Sequence, residues 1–204
     1  MNARIPMGRP ILTACLLGAL LSGCVKFGPK PPGTLLTVES QARVAPGTVA
    51  EGSDGTVTII EPDVPKALNT VRVAVRTSGN NYAYVPDAMW VDTPRNLFRA
   101  LLAETVAAKG GMLVLDPGQF SADPGRRLMG ELIAFGIDAE GKQAVVTFDA
   151  ALMGKSGRIT KRRFSASVPV RNIDQDSVAP AIGKAANMVA NEVADWLKAG
   201  DAGV

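Results

Sequence analysis

The chain has 204 residues, with 22 lysines and arginines against 19 aspartates and glutamates, two cysteines and no histidine. The absence of histidine excludes Ser-His-Asp and Cys-His catalysis and removes the commonest zinc ligand. This length provides for one ordinary domain and a tether.

The N-terminal segment has the three-part layout of an export signal. Arg4 and Arg9 come first, an apolar run follows from 11 to 21, and small residues precede Cys24. The run is shorter than the ~20 residues that a membrane-spanning helix needs. Leu21-Ser22-Gly23-Cys24 resembles the bacterial lipobox, in which the chain is cut before a cysteine that carries lipid. We predict a signal peptide at 1–23 and lipidation of Cys24; the alternative is an ordinary secretory signal that happens to end near a cysteine.

Cleavage at this point changes the charge and the cysteine chemistry of the mature chain. Two arginines are lost, and 22 − 2 = 20 basic against 19 acidic residues leaves a net charge of about +1, so the charge says little about nucleic acid or anionic membrane as a partner. We expect no nucleic acid partner, because a lipoprotein exported from the cytosol does not meet the genome. Cys15 is removed and Cys24 is blocked by lipid, so no disulfide forms and a metal site would need carboxylates alone. We therefore expect no metal, no cofactor and a membrane contact through the lipid anchor.

The segment 24–55 is rich in proline and glycine, beginning with Phe27-Gly28-Pro29-Lys30-Pro31-Pro32-Gly33. Such stretches are stiff and extended. We predict a lipidated tether over 24–55 and a folded domain over 56–200. Leu35 to Val38 is able to add a short strand to the edge of that domain.

Alternation and turn residues predict a succession of strands. The first strand covers Thr56–Ile60, the second Val71–Arg76, and a hairpin returns through Tyr82–Val85 to a stop at Pro86. A short strand covers Met112–Leu115. Three long alternating stretches, 127–137, 143–153 and 158–168, are separated by short glycine-bearing turns and predict an antiparallel meander with one core face and one wet face.

Two segments have helical periodicity. Thr93 as N-cap and Pro94 begin the first, and Gly110-Gly111 ends it. The second runs from about Asp174 to Lys198 with a single apolar stripe. The predicted fold class is α+β, a two-layer α/β sandwich in which two amphipathic helices pack on one face of an antiparallel or mixed sheet.

The charged residues indicate no catalytic site. The aspartates and glutamates lie singly in turns or on wet strand faces, without the pairing that general acid and base chemistry needs. Arg158, Lys161, Arg162 and Arg163 form a basic cluster. A solvated strand face is the favoured interpretation, followed by an electrostatic contact with a protein partner; phosphate binding is the remaining alternative.

Aromatic residues concentrate between the second strand and the first helix. Tyr82, Tyr84 and Trp90 lie within nine residues of one another. They either fill the edge of the core or form a contact surface, since tyrosine and tryptophan dominate interface hot spots. On the second interpretation Tyr84 and Trp90 are the candidate partner-binding residues.

The run from Tyr84 to Val106 resembles the ABC-type transport auxiliary lipoproteins, the PqiC-like group. The resemblance consists of a tyrosine-bearing strand, a tryptophan, a proline and an amphipathic helix, here Tyr84, Trp90, Pro94 and the helix through Leu97 and Leu101. The meander and the closing helix extend it over residues 56–198. It implies a non-catalytic periplasmic partner of a transporter that consists of an ATPase, a permease and an MCE-domain protein and moves lipids between the inner and outer membranes.

The first hypothesis is therefore an auxiliary subunit anchored at the periplasmic face of the outer membrane, assembled as a ring or other homo-oligomer. The alternative is an envelope-assembly or peptidoglycan-binding lipoprotein with no transporter partner. A hydrolase is disfavoured because the usual bases are missing.

Overall fold

The structure is a computed structural model that describes residues 33–48, 55–78, 81–118, 125–154 and 156–201. Besides a single 3-10 turn at Lys66–Leu68, this part of the chain contains seven strands and two helices. They are β1 Thr56–Ile59, β2 Arg72–Arg76, β3 Tyr82–Met89, α1 Pro94–Gly110, β4 Leu113–Leu115, β5 Arg126–Asp138, β6 Gln143–Met153, β7 Ile159–Pro169 and α2 Gln175–Asp201.

The longest strand, β5, connects all parts of the sheet. One edge pairs antiparallel with β6 along its length, and β6 pairs antiparallel with β7. The other edge pairs in parallel with β1 near its start and with β2 at its end. Between these two, Asp63 donates its backbone N–H to Gly130 and accepts one from Leu132, at 2.9 and 2.8 Å. With β4 beside β1 and β3 beside β2, this makes a mixed seven-stranded sheet.

Both helices lie on the same face of this sheet. Phe148 of β6 and Phe164 of β7 are paired in register, so their side chains lie on one side. Phe98 of α1 meets Phe148 with ring centroids 5.2 Å apart, and Trp196 of α2 meets Phe164 at 5.6 Å. The predicted two-layer α/β sandwich is thereby confirmed. We call the other side of the sheet the open face.

The predicted meander is present as β5, β6 and β7, with one irregularity. The register of β5 against β6 shifts between Leu132 and Ala134, which leaves Ile133 as the extra residue of a β-bulge. Leu132 and Phe135 are three positions apart, an odd spacing that a regular strand would place on opposite faces. Because of the bulge, both are buried in the core.

The strand β3 does not stop at Pro86 as predicted but continues to Met89. β3 lies at the sheet edge with β2 on one side, where a residue without an N–H is tolerated. The pairing of β2 with β3 is irregular between Arg72 and Ala74, and Asp87 has a left-handed backbone with φ of 55°. These local changes let the strand continue past the proline.

Part of the segment predicted as tether packs against the domain. Leu36 donates its N–H to Met89 and accepts one from Val91, at 2.7 and 2.8 Å, and Val38 is buried. Ser40 shares a 2.8 Å hydrogen bond with Thr105 of α1. We call residues 36–44 the strap. Packed structure therefore begins upstream of the predicted boundary at Thr56.

A buried asparagine on α2 holds the strap. Asn187 accepts the backbone N–H of Gln41 at 2.8 Å and donates its amide to the carbonyls of Glu39 and Gly183 at 2.8 and 2.9 Å. The strap thus lies over both helices, since on α1 it contacts Thr105 and also Glu104, whose carboxylate accepts the backbone N–H of Val44 at 2.9 Å. Within the described ranges, neither helix combines the length and apolar character of a membrane span.

Candidate partner-binding surface

The predicted lipidation site, Cys24, lies outside the described residues, as do the signal peptide and the first part of the predicted tether. Lipidation therefore stays a prediction from the lipobox. The two other candidates, Tyr84 and Trp90, are both described.

Trp90 is a core residue in this structure. Its side chain is 1% exposed, and its ring meets that of Phe135 edge-on at 5.6 Å. Its backbone N–H bonds to Val71 at 2.7 Å, and Leu36 lies on its other side. The ring fills the core, as one of the two sequence interpretations has it, and it does not contribute to an exposed contact surface. The indole N–H is buried without a hydrogen-bond partner among the described residues.

Tyr84 lies on the open face, on the other side of the sheet from the Trp90 ring. It pairs with Ala74, which pairs with Gly136 on the open face of β5. The guanidinium of Arg72 lies 4.1 Å from the centre of its half-buried ring, and its hydroxyl donates to the carbonyl of Ala67 at 3.4 Å. The structure therefore does not bring Tyr84 and Trp90 together, and a partner role for Tyr84 stays a prediction.

The open face carries a shallow groove of about 280 Å³. Ile133 of the bulge and Val145 of β6 contribute apolar floor, and Tyr82, which is 47% exposed, contributes to one wall. Arg76 and Arg163 each place a guanidinium at the rim of the groove. The alternating pattern predicts a solvent-exposed face here. No sequence signal marks the bulge, which brings the additional apolar side chain of Ile133 to this face.

Both rim guanidiniums are paired with carboxylates. Arg163 donates to both oxygens of Asp149, at 2.5 and 2.6 Å, and Arg76 lies 3.1 Å from Asp138. The Arg163 hydrogen bond, with further attraction from the charges of Arg163 and Lys161, lowers the pKa of Asp149 below its ordinary value. A carboxylate held ionised in this way is unsuited to general acid or base work at neutral pH.

Two further aspartates with lowered pKa values are explained by the ends of helices. Asp92 precedes α1, and the amide of Asn96 and the backbone N–H of Thr93 lower its pKa by hydrogen bonding. Thr93 has the predicted N-cap position, but its side chain makes no capping bond. Asp174 precedes α2, and hydrogen bonds from Ser177 lower its pKa. Both carboxylates thus stabilise helix starts.

No group of three or more aspartate, glutamate or cysteine side chains in the described ranges is arranged to hold a metal ion. The described residues thus offer two kinds of surface, the open face with its groove and paired charges and the outer edge of the sheet.

Comparison with solved structures shows the same fold in other proteins. The crystal structure of a Xanthomonas campestris protein assigned to the DUF330 family has a TM-score of 0.67 and 17% identity, covering 84% of this chain and 100% of that one. The crystal structure of an uncharacterized protein has a TM-score of 0.58 and 14% identity, covering 74% and 94%. No curated protein matches the chain.

The family comparison covers nearly the whole described domain. The model of the ABC-type transport auxiliary lipoprotein component matches residues 35–194, from the residue before the strap to the last turns of α2. Its start agrees with the position at which the chain begins to pack on the sheet. The chain belongs to the family of ABC-type transport auxiliary lipoprotein components.

Proposed function

We propose that this protein is a non-catalytic auxiliary subunit of an ABC transport system of the MCE type, which moves lipids between the membranes of the cell envelope. The observation that carries the proposal is the family match over residues 35–194. The partners are an MCE-domain protein and the permease and ATPase of the transporter. The chain itself supplies contact surfaces and no reaction.

Anchoring is the second part of the proposal. The lipobox places the lipid on Cys24, and the lipid holds the protein to the periplasmic face of the outer membrane. From Cys24 to Leu36 there are 36 − 24 = 12 residue steps, which span at most roughly 40 Å even when fully extended. The domain therefore works close to the membrane surface, and a transporter subunit has to reach it there.

A homo-oligomer is the third part of the proposal. A ring of copies would repeat the same contact surfaces around an axis and would give a partner several equivalent sites. The mass of the detergent-extracted protein measured by light scattering tests it, and the mass of one chain at all concentrations contradicts it.

The transport role is tested by following lipid exchange between the two membranes. Cells lacking the protein are labelled with a pulse of radioactive phospholipid precursor, and the membranes are separated by density at successive times. We expect altered equilibration of label in the deletion strain, restored by the wild-type gene and not by Cys24→Ser.

Unchanged equilibration in all strains would contradict the proposed transport role. If these strains show no transport defect and the purified protein co-sediments with peptidoglycan, the alternative of a cell-wall-binding lipoprotein is supported instead.

A further inference from the structure

The outer edge of β7 is the longest regular edge of the described sheet. β7 pairs with β6 in unbroken register from Gln143 opposite Pro169 to Met153 opposite Ile159, and no other described strand pairs with it. The two other edge strands are less able to pair with an additional strand. β4 has three residues, and β3 contains Pro86 and the left-handed Asp87 and is flanked at its end by Leu36.

The hydrogen bonds at both ends of the β6–β7 pair show which backbone groups point outward. Gly154 donates to Arg158 and Val170 donates to Lys142, each at 2.9 Å. Both pairs belong to the register of the ladder, in which hydrogen-bonded and non-hydrogen-bonded pairs alternate. Even-numbered residues of β7 therefore bond to β6. The odd-numbered residues direct their backbone groups to the free edge. Five of them offer both an N–H and a C=O, namely Ile159, Lys161, Arg163, Ser165 and Ser167, and Pro169 at the end of the strand offers a C=O only.

The same edge is strongly basic at its beginning. Arg158, Lys161, Arg162 and Arg163 are all exposed, and Ile159 is 57% exposed. Lys161 and Arg163 lie on the open face, whereas Arg162 lies on the helix side with its guanidinium 4.9 Å from the Phe164 ring. Among the four cations only Arg163 has an ion-pair partner on β6, Asp149.

This charge pattern selects among possible occupants of the edge. Like charges opposite each other destabilise a strand pair, so parallel in-register pairing with β7 of a second copy would set cations against cations. Full-length antiparallel pairing would instead set Lys161 opposite Ser167 and Arg163 opposite Ser165, without an attractive charge pair. A strand with carboxylates at the matching positions would face attractive charges and would receive main-chain hydrogen bonds from five successive outward residues. Because β7 contains no carboxylate, a second copy gains no charge attraction at this edge in either direction, whereas an acidic strand does.

We propose that β7 accepts an extended acidic segment of a partner protein as an additional strand of the sheet. The inference rests on the proposed function for the existence of such a partner and names the surface at which it docks. Its test uses purified protein without the transporter, so that its failure is distinguishable from failure of the transport proposal.

The test measures backbone hydrogen exchange of the full mature chain in detergent, residue by residue. The probe is an eleven-residue peptide that alternates glutamate with valine, and the control peptide has lysine in place of glutamate. We expect the glutamate peptide to slow exchange at residues 159, 161, 163, 165 and 167 about tenfold at nine-tenths occupancy, since only unoccupied protein exchanges. The even-numbered amides, already bonded to β6, should be unaffected.

Matched variants separate backbone pairing from charge. Ser167→Pro removes one outward N–H and leaves the ladder to β6 intact, whereas Ser167→Ala keeps that N–H. We expect Ser167→Pro alone to abolish most of the peptide-dependent slowing. Lys161→Glu should weaken it, and Lys184→Glu, the same charge change at an exposed position on α2, should not.

Three outcomes overturn the proposal. Equal slowing by the lysine peptide removes the charge argument. No slowing by either peptide in folded protein removes the edge as a docking surface. Slowing at the odd-numbered amides that rises with protein concentration, without peptide, assigns the edge to a second copy of this chain.

Discussion

At the scale of single residues, Trp90 is buried because residues far away in the chain cover its side chain. The residue follows an edge strand, a position that suits either core or surface, and the sequence leaves both open. Burial results from Leu36, which pairs beside Trp90 from more than fifty positions away in the chain, and from Phe135 beneath the ring. Neither contact has a local sequence signal.

Truncation of Trp90 tests its assignment to the core. Trp90→Ala should lower the free energy of unfolding by about 3 to 5 kcal/mol, because a large buried ring is replaced by a cavity. Trp90→Phe should cost clearly less, since it keeps an aromatic contact with Phe135 and removes a buried N–H that lacks a partner. Urea denaturation measures both. An unchanged midpoint for Trp90→Ala, with loss of partner binding, would return this residue to the interface.

The Asp149–Arg163 pair gives the stability of the domain a dependence on pH. The pKa of Asp149 is lower in the folded than in the unfolded state, so its contribution is fully present above the unfolded pKa of about 3.9 and is lost as pH falls through the folded pKa. We expect Asp149→Asn to be less stable than wild type at pH 7, with a small difference because the pair is exposed.

The difference between wild type and Asp149→Asn should narrow as pH falls below the unfolded pKa of Asp149, about 3.9. Urea midpoints between pH 7 and pH 3 measure it. In an Arg163→Gln background, Asp149→Asn should cause little change at any of these pH values, since the hydrogen-bonding partner is already absent. A difference that is constant with pH would contradict the assigned cause.

At the scale of elements, the parallel pairing of β2 with β5 depends on a residue without a side chain. A Cβ atom at Gly136 would lie 2.3 Å from the carbonyl oxygen of Ala74. Gly136→Ala should therefore push the two strands apart and lower the free energy of unfolding by about 1 to 3 kcal/mol. Gly118→Ala is the control, since a Cβ there meets nothing within 4 Å. Equal stability of the two variants would contradict the packing described here.

The strap depends on one buried amide in a similar way. Asn187→Ala leaves the Gln41 N–H and the Glu39 carbonyl without their partner and should cost about 1 to 3 kcal/mol. Exchange at the Gln41 amide should become faster in the folded protein. Asn191→Ala, one turn further along α2, should change neither quantity. Unchanged exchange at Gln41 in Asn187→Ala would show that the strap is held by other contacts.

These elements show what local patterns reveal. The stripe of Leu97, Leu101 and Val106 and the alternation in β6 follow from short periods, so the helices and the meander were predictable and are confirmed. The parallel pairing of β1 and β2 with one edge of β5 joins segments far apart in the chain, and no short period encodes it. The strap was hidden for the same reason, because Thr105 and Asn187, which bond to it, are single polar residues within apolar helix stripes far away in the chain.

At the scale of the whole molecule, anchoring and folding should be separable. Cys24 lies twelve residues before Leu36, the first residue with a described bond to the sheet. Cys24→Ser should move the protein from the membrane pellet to the soluble fraction with an unchanged melting temperature. Cys15→Ser, within the predicted signal peptide, should leave it in the pellet. Retention of Cys24→Ser in the pellet would contradict the lipobox assignment.

Co-purification from cells tests whether this chain binds a transporter. Intact cells are crosslinked, the protein is purified through a C-terminal tag, and the proteins bound to it are identified, with cells expressing an untagged chain as control. We expect recovery of an MCE-domain protein together with its permease and ATPase. Recovery of only cell-wall or outer-membrane assembly components would leave the fold intact and contradict the proposed function.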